Sequence, residues 1–223
     1  MVSTAAILSS PQAMGIGEQR VVFRNLTWQA YQQILAAVGN NRAALLTYDR
    51  GILEITMPLE LHEFAARMIE LFVRILVEEL GFNLKTMGST TLNYPDLDRG
   101  AEPDNAYYIQ NQARVTGKVV DLAIDPPPDL VVEVDITYTG IHKLNLYASM
   151  GIPEFWRYNS KVLRIYQLQG QAYVESTLSS TFSVFSSFPK ERFYQFLEQC
   201  QQNEVQGSRD LRSWVQQQLQ DRP

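Results

Sequence analysis

An apolar run that carries two carboxylates constrains this chain more than any other feature. Residues 126–137 read PPPDLVVEVDIT. Three prolines lead into Leu130–Ile136, where Val, Leu and Ile dominate, so the run is expected to be a buried strand. Glu133 and Asp135 lie inside it. A buried carboxylate is costly unless something pairs with it. Side chains alternate along a strand, so Leu130, Val132, Val134 and Ile136 share one face, and Asp129, Val131, Glu133, Asp135 and Thr137 share the other. The two acids then lie about 7 Å apart on one side. The expectation is that helices seal the apolar face, while the acidic face opens into a cleft that meets water and a cation.

A partner for these acids lies upstream, in GAEPDNAYYIQ. Pro103 fixes φ and cannot donate to a sheet, which places Asp104 at the mouth of an aromatic strand over 104–109. If that strand pairs with 129–137, Asp104 can reach Glu133. Carboxylate oxygens from adjacent strands suit a hard cation such as Mg²⁺. A hydrated Mg²⁺ activates water and neutralises charge on a phosphodiester.

The rest of the chain frames this strand. TWQAYQQILAAV at 27–38 reads as a helix with Thr27 as N-cap and Gly39 as stop. ALLTYDRGILEITMP gives two strands around a turn at 49–51. Residues 61–80 form the clearest helix, with Leu61, Phe64, Ala65, Met68, Phe72, Ile75 and Leu76 as its apolar stripe. Its other face offers two i, i+4 pairs, Glu63 with Arg67 and Glu70 with Arg74. Strands are expected around 83–92, 104–109 and 129–137, then a helix over 140–150. Short strands follow in PEFWRYN, VLRIYQL and QAYVEST, the last two joined by a turn at Gln169-Gly170. In the tail, two helical segments flank a Gln-rich stretch at 198–208, expected to be a flexible joint. The chain is thus expected to be one α/β domain over 21–188, with a loose arm over 1–20 and a helical appendage over 189–223.

Composition excludes several functions. One cysteine, Cys200, forbids an intramolecular disulfide, and with only His62 and His142 beside it a zinc site of Cys and His is nearly ruled out. His62-Glu63 lacks the second histidine of a zinc protease helix, since Ala66 stands there. No apolar run approaches the roughly 18 residues that span a membrane, so the cytoplasm is the expected compartment. The formal charge of −5 gives no global attraction to nucleic acid, so a polyanion must be held by a metal or a local patch.

Three segments in order, EPD at 102–104, PDLVVEVDIT at 128–137 and HKLNLYASMGIPEFWRYN at 142–159, resemble a bacterial family of restriction endonucleases called Uma, within the PD-(D/E)xK nuclease superfamily. The resemblance runs from about Leu45 to Glu175. It implies a restriction-endonuclease-like core, a mixed central sheet flanked by helices, and here a C-terminal hairpin and helical tail. It also implies a Mg²⁺- or Mn²⁺-dependent endonuclease acting on DNA, with Asp104 and Glu133 as ligands; a homodimer would be natural for an enzyme that cuts two strands, although no residue of the sequence establishes one. The superfamily expects a lysine two residues after the second acid, but Asp135 stands there. The resemblance points to Lys143 instead. Asp135 is then a third ligand, a supporting acceptor or an exposed strand end. Two other classes fit the same residues: a non-catalytic binding module on the nuclease fold, and a metal-dependent phosphohydrolase of a small molecule. For Lys143 the plain alternative is a solvated surface lysine, and for Asp104 and Glu133 a pair of acids satisfied by backbone N–H groups or an arginine.

Overall fold

The structure is a computed structural model, and it describes residues 19–39, 43–88, 90–136 and 139–221. Residues 1–18 of the expected N-terminal arm, and Thr137, lie outside the described residues. The elements in chain order are β1 (Gln19–Phe23), α1 (Trp28–Val38), β2 (Leu45–Asp49), β3 (Ile52–Met57), α2 (Glu60–Glu79), β4 (Lys85–Thr86), β5 (Leu92–Tyr94), β6 (Arg99–Ala101), β7 (Asn105–Tyr108), β8 (Leu130–Val134), α3 (Lys143–Ser149), β9 (Glu154–Tyr158), β10 (Leu163–Gln169), β11 (Ala172–Ser176) and α4 (Lys190–Gln220). Among the described residues no helix is long and apolar enough to cross a membrane.

The expected mixed α/β architecture is present, but the strands gather into two sheets rather than one. The first has the order β1-β3-β2-β6-β5, the second β11-β10-β9-β8-β7-β4. Every pairing is antiparallel except that of β8 with β9, which α3 connects. The strand expected over 83–92 is divided between the sheets. Lys85–Thr86 pairs with β7, and Leu92–Tyr94 pairs with β6. Gly88, at φ +52, lies between them, in a backbone conformation that glycine adopts without a Cβ penalty. The other local signals hold. Thr27 accepts the Ala30 N–H at 3.1 Å as N-cap of α1, and Arg50 and Gly51 turn the β2–β3 hairpin at positive φ.

The second sheet is covered on both faces. Leu130, Val132 and Val134 pack with Phe72, Val73 and Leu76 of α2, together with Phe193 and Phe196 of α4. Ile136, expected to be fully buried with them, is only partly so, because β8 ends at Val134. Val131, on the opposite face, joins Leu146 and Tyr147 of α3 and Phe155 of β9. β8 is therefore buried at all five positions.

The tail differs from the flexible joint expected at 198–208. That stretch is helical on both sides of a single kink at Asn203, where φ is −161° and ψ 103°. Asn203 Oδ1 accepts the Gln206 N–H at 3.0 Å, so it restarts the helix as an N-cap. A Cβ at Gly207 would lie 2.7 Å from Cys200 Sγ, so glycine is what lets the two halves approach. Phe193, Phe196, Leu197 and Cys200 before the kink, and Leu211 and Val215 after it, all enter the same core as β8. Phe196→Ala is expected to cost about 3–5 kcal/mol and to lower the melting temperature of the whole protein in one cooperative transition. Loss of α4 alone, ahead of the sheet, in hydrogen exchange would show that it is a separate unit.

Candidate active site

The segment Glu102-Pro103-Asp104 is the point at which the chain crosses from one sheet to the other. β6 ends at Ala101 in the first sheet and β7 begins at Asn105 in the second. Proline suits a crossing, since it has no N–H to offer either ladder. The acids on each side tie down the two sheets. Glu102 accepts the Leu46 N–H at 2.8 Å and the Thr91 hydroxyl at 2.6 Å, within the first sheet. Asp104 Oδ2 accepts the Val134 N–H at 2.7 Å, at the end of β8 in the second. His62 Nε2, on the first turn of α2, stands 3.2 Å from the same oxygen.

The register between β7 and β8 pairs Asn105 with Val132. One step further sets Asp104 opposite Glu133, which is the arrangement the sequence suggested. Glu133 does not open into a cleft, however. It is 2% exposed and Asp135 is 3% exposed. The expectation of an open acidic face is therefore corrected: α3 covers that face and supplies the counter-charge from its own first residue. Lys143 Nζ lies 2.5 Å from Glu133 Oε2 and 3.3 Å from Asp135 Oδ1. Tyr147, one helical turn later, donates its hydroxyl to Glu133 Oε1. His142 caps this helix, its Nδ1 accepting the Asn145 N–H at 3.2 Å.

Asp135 is surrounded by cations. Arg157 Nε, from β9, donates to Oδ2 at 2.8 Å. Arg20, from β1, reaches Oδ1 at 3.4 Å and donates to Glu54 Oε1 at 2.6 Å. Glu54, on β3, also accepts from Thr139 Oγ1 at 2.8 Å and the Gly140 N–H at 2.7 Å. A buried charge network thus bridges the two sheets.

These contacts set the protonation states. Burial pushes the Glu133 carboxyl up to about 7, against the pull of Lys143 and with a smaller push from Asp104 and Asp135. Burial also raises Asp135, but Lys143, Arg157 and Arg20 outweigh it and hold the group below the usual carboxylate range. Burial would strip the proton from Lys143. Asp135 and Glu133 instead raise its pKa, so the ammonium stays charged. Burial, then Glu133, raises the Tyr147 hydroxyl well above its ordinary value, which keeps it a donor.

Asp104 also lines a cleft of about 750 Å³ between α2 and the sheet junction. Its walls carry Glu63, Glu70, Glu102 and Arg67. Of the two ion pairs expected on α2, Glu70 with Arg74 forms at 3.0 Å, and none joins Glu63 to Arg67 among the described residues. The cleft is therefore acidic, with Arg67 as its one lining cation among the described residues.

The structure brings Asp104, Glu133, Asp135 and Lys143 into one neighbourhood. Lys143 is buried and doubly paired, not a solvated surface lysine. Sequence reading missed His62, Tyr147, Arg20, Arg157 and Glu54. Tyr147 carried a signal, four residues after Lys143 on one helical face. Arg20 and Glu54 carried none, since nothing local says that the first sheet leans on the end of β8. No three acid, histidine or cysteine side chains form a ready metal-binding group among the described residues. Asp104 and Glu133 offer carboxylate oxygens, the donor type that hard cations take. Among the described residues, the Val134 N–H and His62 Nε2 both meet Asp104 at Oδ2.

Residues 28–193 match the family Uma2, described as "Putative restriction endonuclease". No curated protein matches the chain. Among solved structures, a "putative nuclease belonging to DUF820" from Anabaena variabilis aligns with a TM-score of 0.49 at 14% identity, covering 85% of this chain and 99% of that one.

The elevated Glu133 pKa has a measurable consequence. The unfolded chain releases this proton near pH 4.3, the folded chain near 7. Between those values the native state holds more protons, so this group's contribution to stability is full below pH 4.3 and declines as pH rises through 7. Glu133→Gln removes that decline. The variant is expected to match wild type near pH 5 and to exceed it by on the order of 1–3 kcal/mol at pH 8, read from urea denaturation at the two pH values. Parallel pH profiles would mean that Glu133 is ionised throughout.

Proposed function

Since the chain belongs to the Uma2 family, we propose that it is a divalent-metal-dependent endonuclease that hydrolyses DNA phosphodiester bonds. One observation carries this reading beyond the family: Lys143 Nζ lies 2.5 Å from Glu133 Oε2, on the strand whose neighbour presents Asp104. Two acids from adjacent strands and one lysine are thereby assembled, although position 135 holds an acid where the superfamily has its lysine.

Asp104 and Glu133 are the donors that would hold Mg²⁺ or Mn²⁺. Such an ion neutralises charge on a phosphodiester and activates water. The chain's own residues supply the rest. Lys143 presents a permanent positive charge beside Glu133, suited to orienting water or to opposing charge that develops on the phosphoryl oxygens. His62 and Tyr147 hold the two carboxylates through the contacts described above. The acidic cleft repels a bare polyanion, which favours entry together with a cation, and Arg67 is the cleft's cation for a backbone phosphate. A second copy of the chain would allow both strands to be cut.

The reading is tested by nicking of supercoiled DNA with Mg²⁺ or Mn²⁺. Asp104→Asn and Lys143→Met are each expected to lower the rate by ~10²-fold or more. Equal activity in Asp104→Asn would assign the cleavage to another site or a contaminant. A second reading, a binding module without catalysis, draws on the enclosure of Glu133, whose two oxygens are already taken by Lys143 and Tyr147. Calorimetric titration separates the two: absence of Mg²⁺ or Mn²⁺ binding at millimolar concentration favours the module.

A further inference from the structure

Asp135 has a different geometry from the other acids of the site. It lies two residues after Glu133, 3% exposed, and both of its oxygens meet cations. We propose that Asp135 is a positioning residue, a tether that holds Lys143 against Glu133, rather than a donor to a metal ion. Its importance for catalysis rests on the endonuclease reading, but the tether itself does not.

Lys143 needs such a tether. A lysine side chain is a flexible stem with three donors, and fixing it carries a large loss of rotamer freedom. One acceptor leaves the ammonium free to swing about that contact. Two acceptors on one strand face, Glu133 at 2.5 Å and Asp135 at 3.3 Å, restrict it to the space between them. The spacing of two residues is what turns both carboxylates towards α3. Because Lys143 is the first residue of α3 and only 8% exposed, solvent offers it little alternative partnership.

Asp135 is suited to hold a cation here because it is itself held. Arg157 binds Oδ2 at 2.8 Å through a rigid guanidinium. Arg20 approaches Oδ1 at 3.4 Å while anchored to Glu54 at 2.6 Å, and Glu54 is in turn fixed by Thr139 and Gly140. The tether therefore reaches back to β1 and β3 of the first sheet. The same cations argue against a metal at Asp135. A divalent ion there would sit among Arg20, Lys143 and Arg157 and be repelled by all three. The carboxylate that replaces the superfamily's lysine thus serves the lysine that stands elsewhere.

The test combines a structural readout with a kinetic one, on the full chain. Lys143 labelling by an amine-reactive acylating reagent is followed by mass spectrometry, with exposed Lys118 and Lys161 as internal standards. Asp135→Asn is expected to raise Lys143 labelling by roughly fivefold or more relative to those standards, and Asp135→Glu to restore much of the protection. A cooperative melting curve and unchanged labelling of the standards identify a folded variant. Should Asp135→Asn not fold, Arg157→Gln, which loosens Asp135 from its other side, carries the labelling test. In the nicking assay, Asp135→Asn is expected to lower kcat by about tenfold with KM nearly unchanged, and to add nothing in a Lys143→Met background. Unchanged Lys143 labelling in folded Asp135→Asn, or in Arg157→Gln where that variant stands in for it, overturns the tether. So does a full, independent loss from Asp135→Asn in the Lys143→Met background. If labelling rises as expected while wild type cuts no DNA, the tether stands and the endonuclease reading falls.

Discussion

The ammonium of Lys143 is what allows β8 to lie in the middle of the structure. Without it, Asp135 would keep Arg157 and Arg20, but Glu133 would be a buried carboxylate with only the Tyr147 hydroxyl beside it and would have to be neutralised. With it, Val131 packs against α3 on the same face as the acids, and Leu130, Val132 and Val134 pack against α2 and α4 on the other. The compensation is incomplete, since Glu133 still has a pKa of about 7.

The second constraint is the crossing of the chain at Glu102-Pro103-Asp104. A sheet-to-sheet passage leaves backbone groups that neither ladder satisfies, and here side chains take them up: Glu102 serves the Leu46 N–H, and Asp104 serves the Val134 N–H. The acidic cleft lies at that junction, with α2 as its wall. Fold and candidate site are therefore not separable, and the residues that close the sheets also shape the cleft.

Much of the candidate site was legible from local pattern. Pro103 placed Asp104 at a strand mouth, and alternation put Glu133 and Asp135 on one face. The expected opening of that face was wrong because alternation says which residues share a face, not what covers it. The cover is α3, and its effect depends on the direction of one side chain. A lysine at a helix N-terminus opposes the helix dipole and so looks misplaced along the helix. It is well placed only once the helix lies against the acids.

The sequence by itself determined the elements and the pairing of chemistry: the α2 stripe, the cap at Thr27, the hairpin turns, the buried strand and its two carboxylates. These are short-range consequences of periodicity and backbone stereochemistry. Tertiary structure decided which charges meet. Arg20 and Asp135 are separated by 115 positions and Glu54 and Thr139 by 85, yet they share one network. It also decided that the strands form two sheets and that Asn203 and Gly207 fold the tail into the core. Such contacts depend on how whole elements pack to bury apolar area, and that packing is fixed by the sum of many surfaces rather than by any residue's neighbours in the chain.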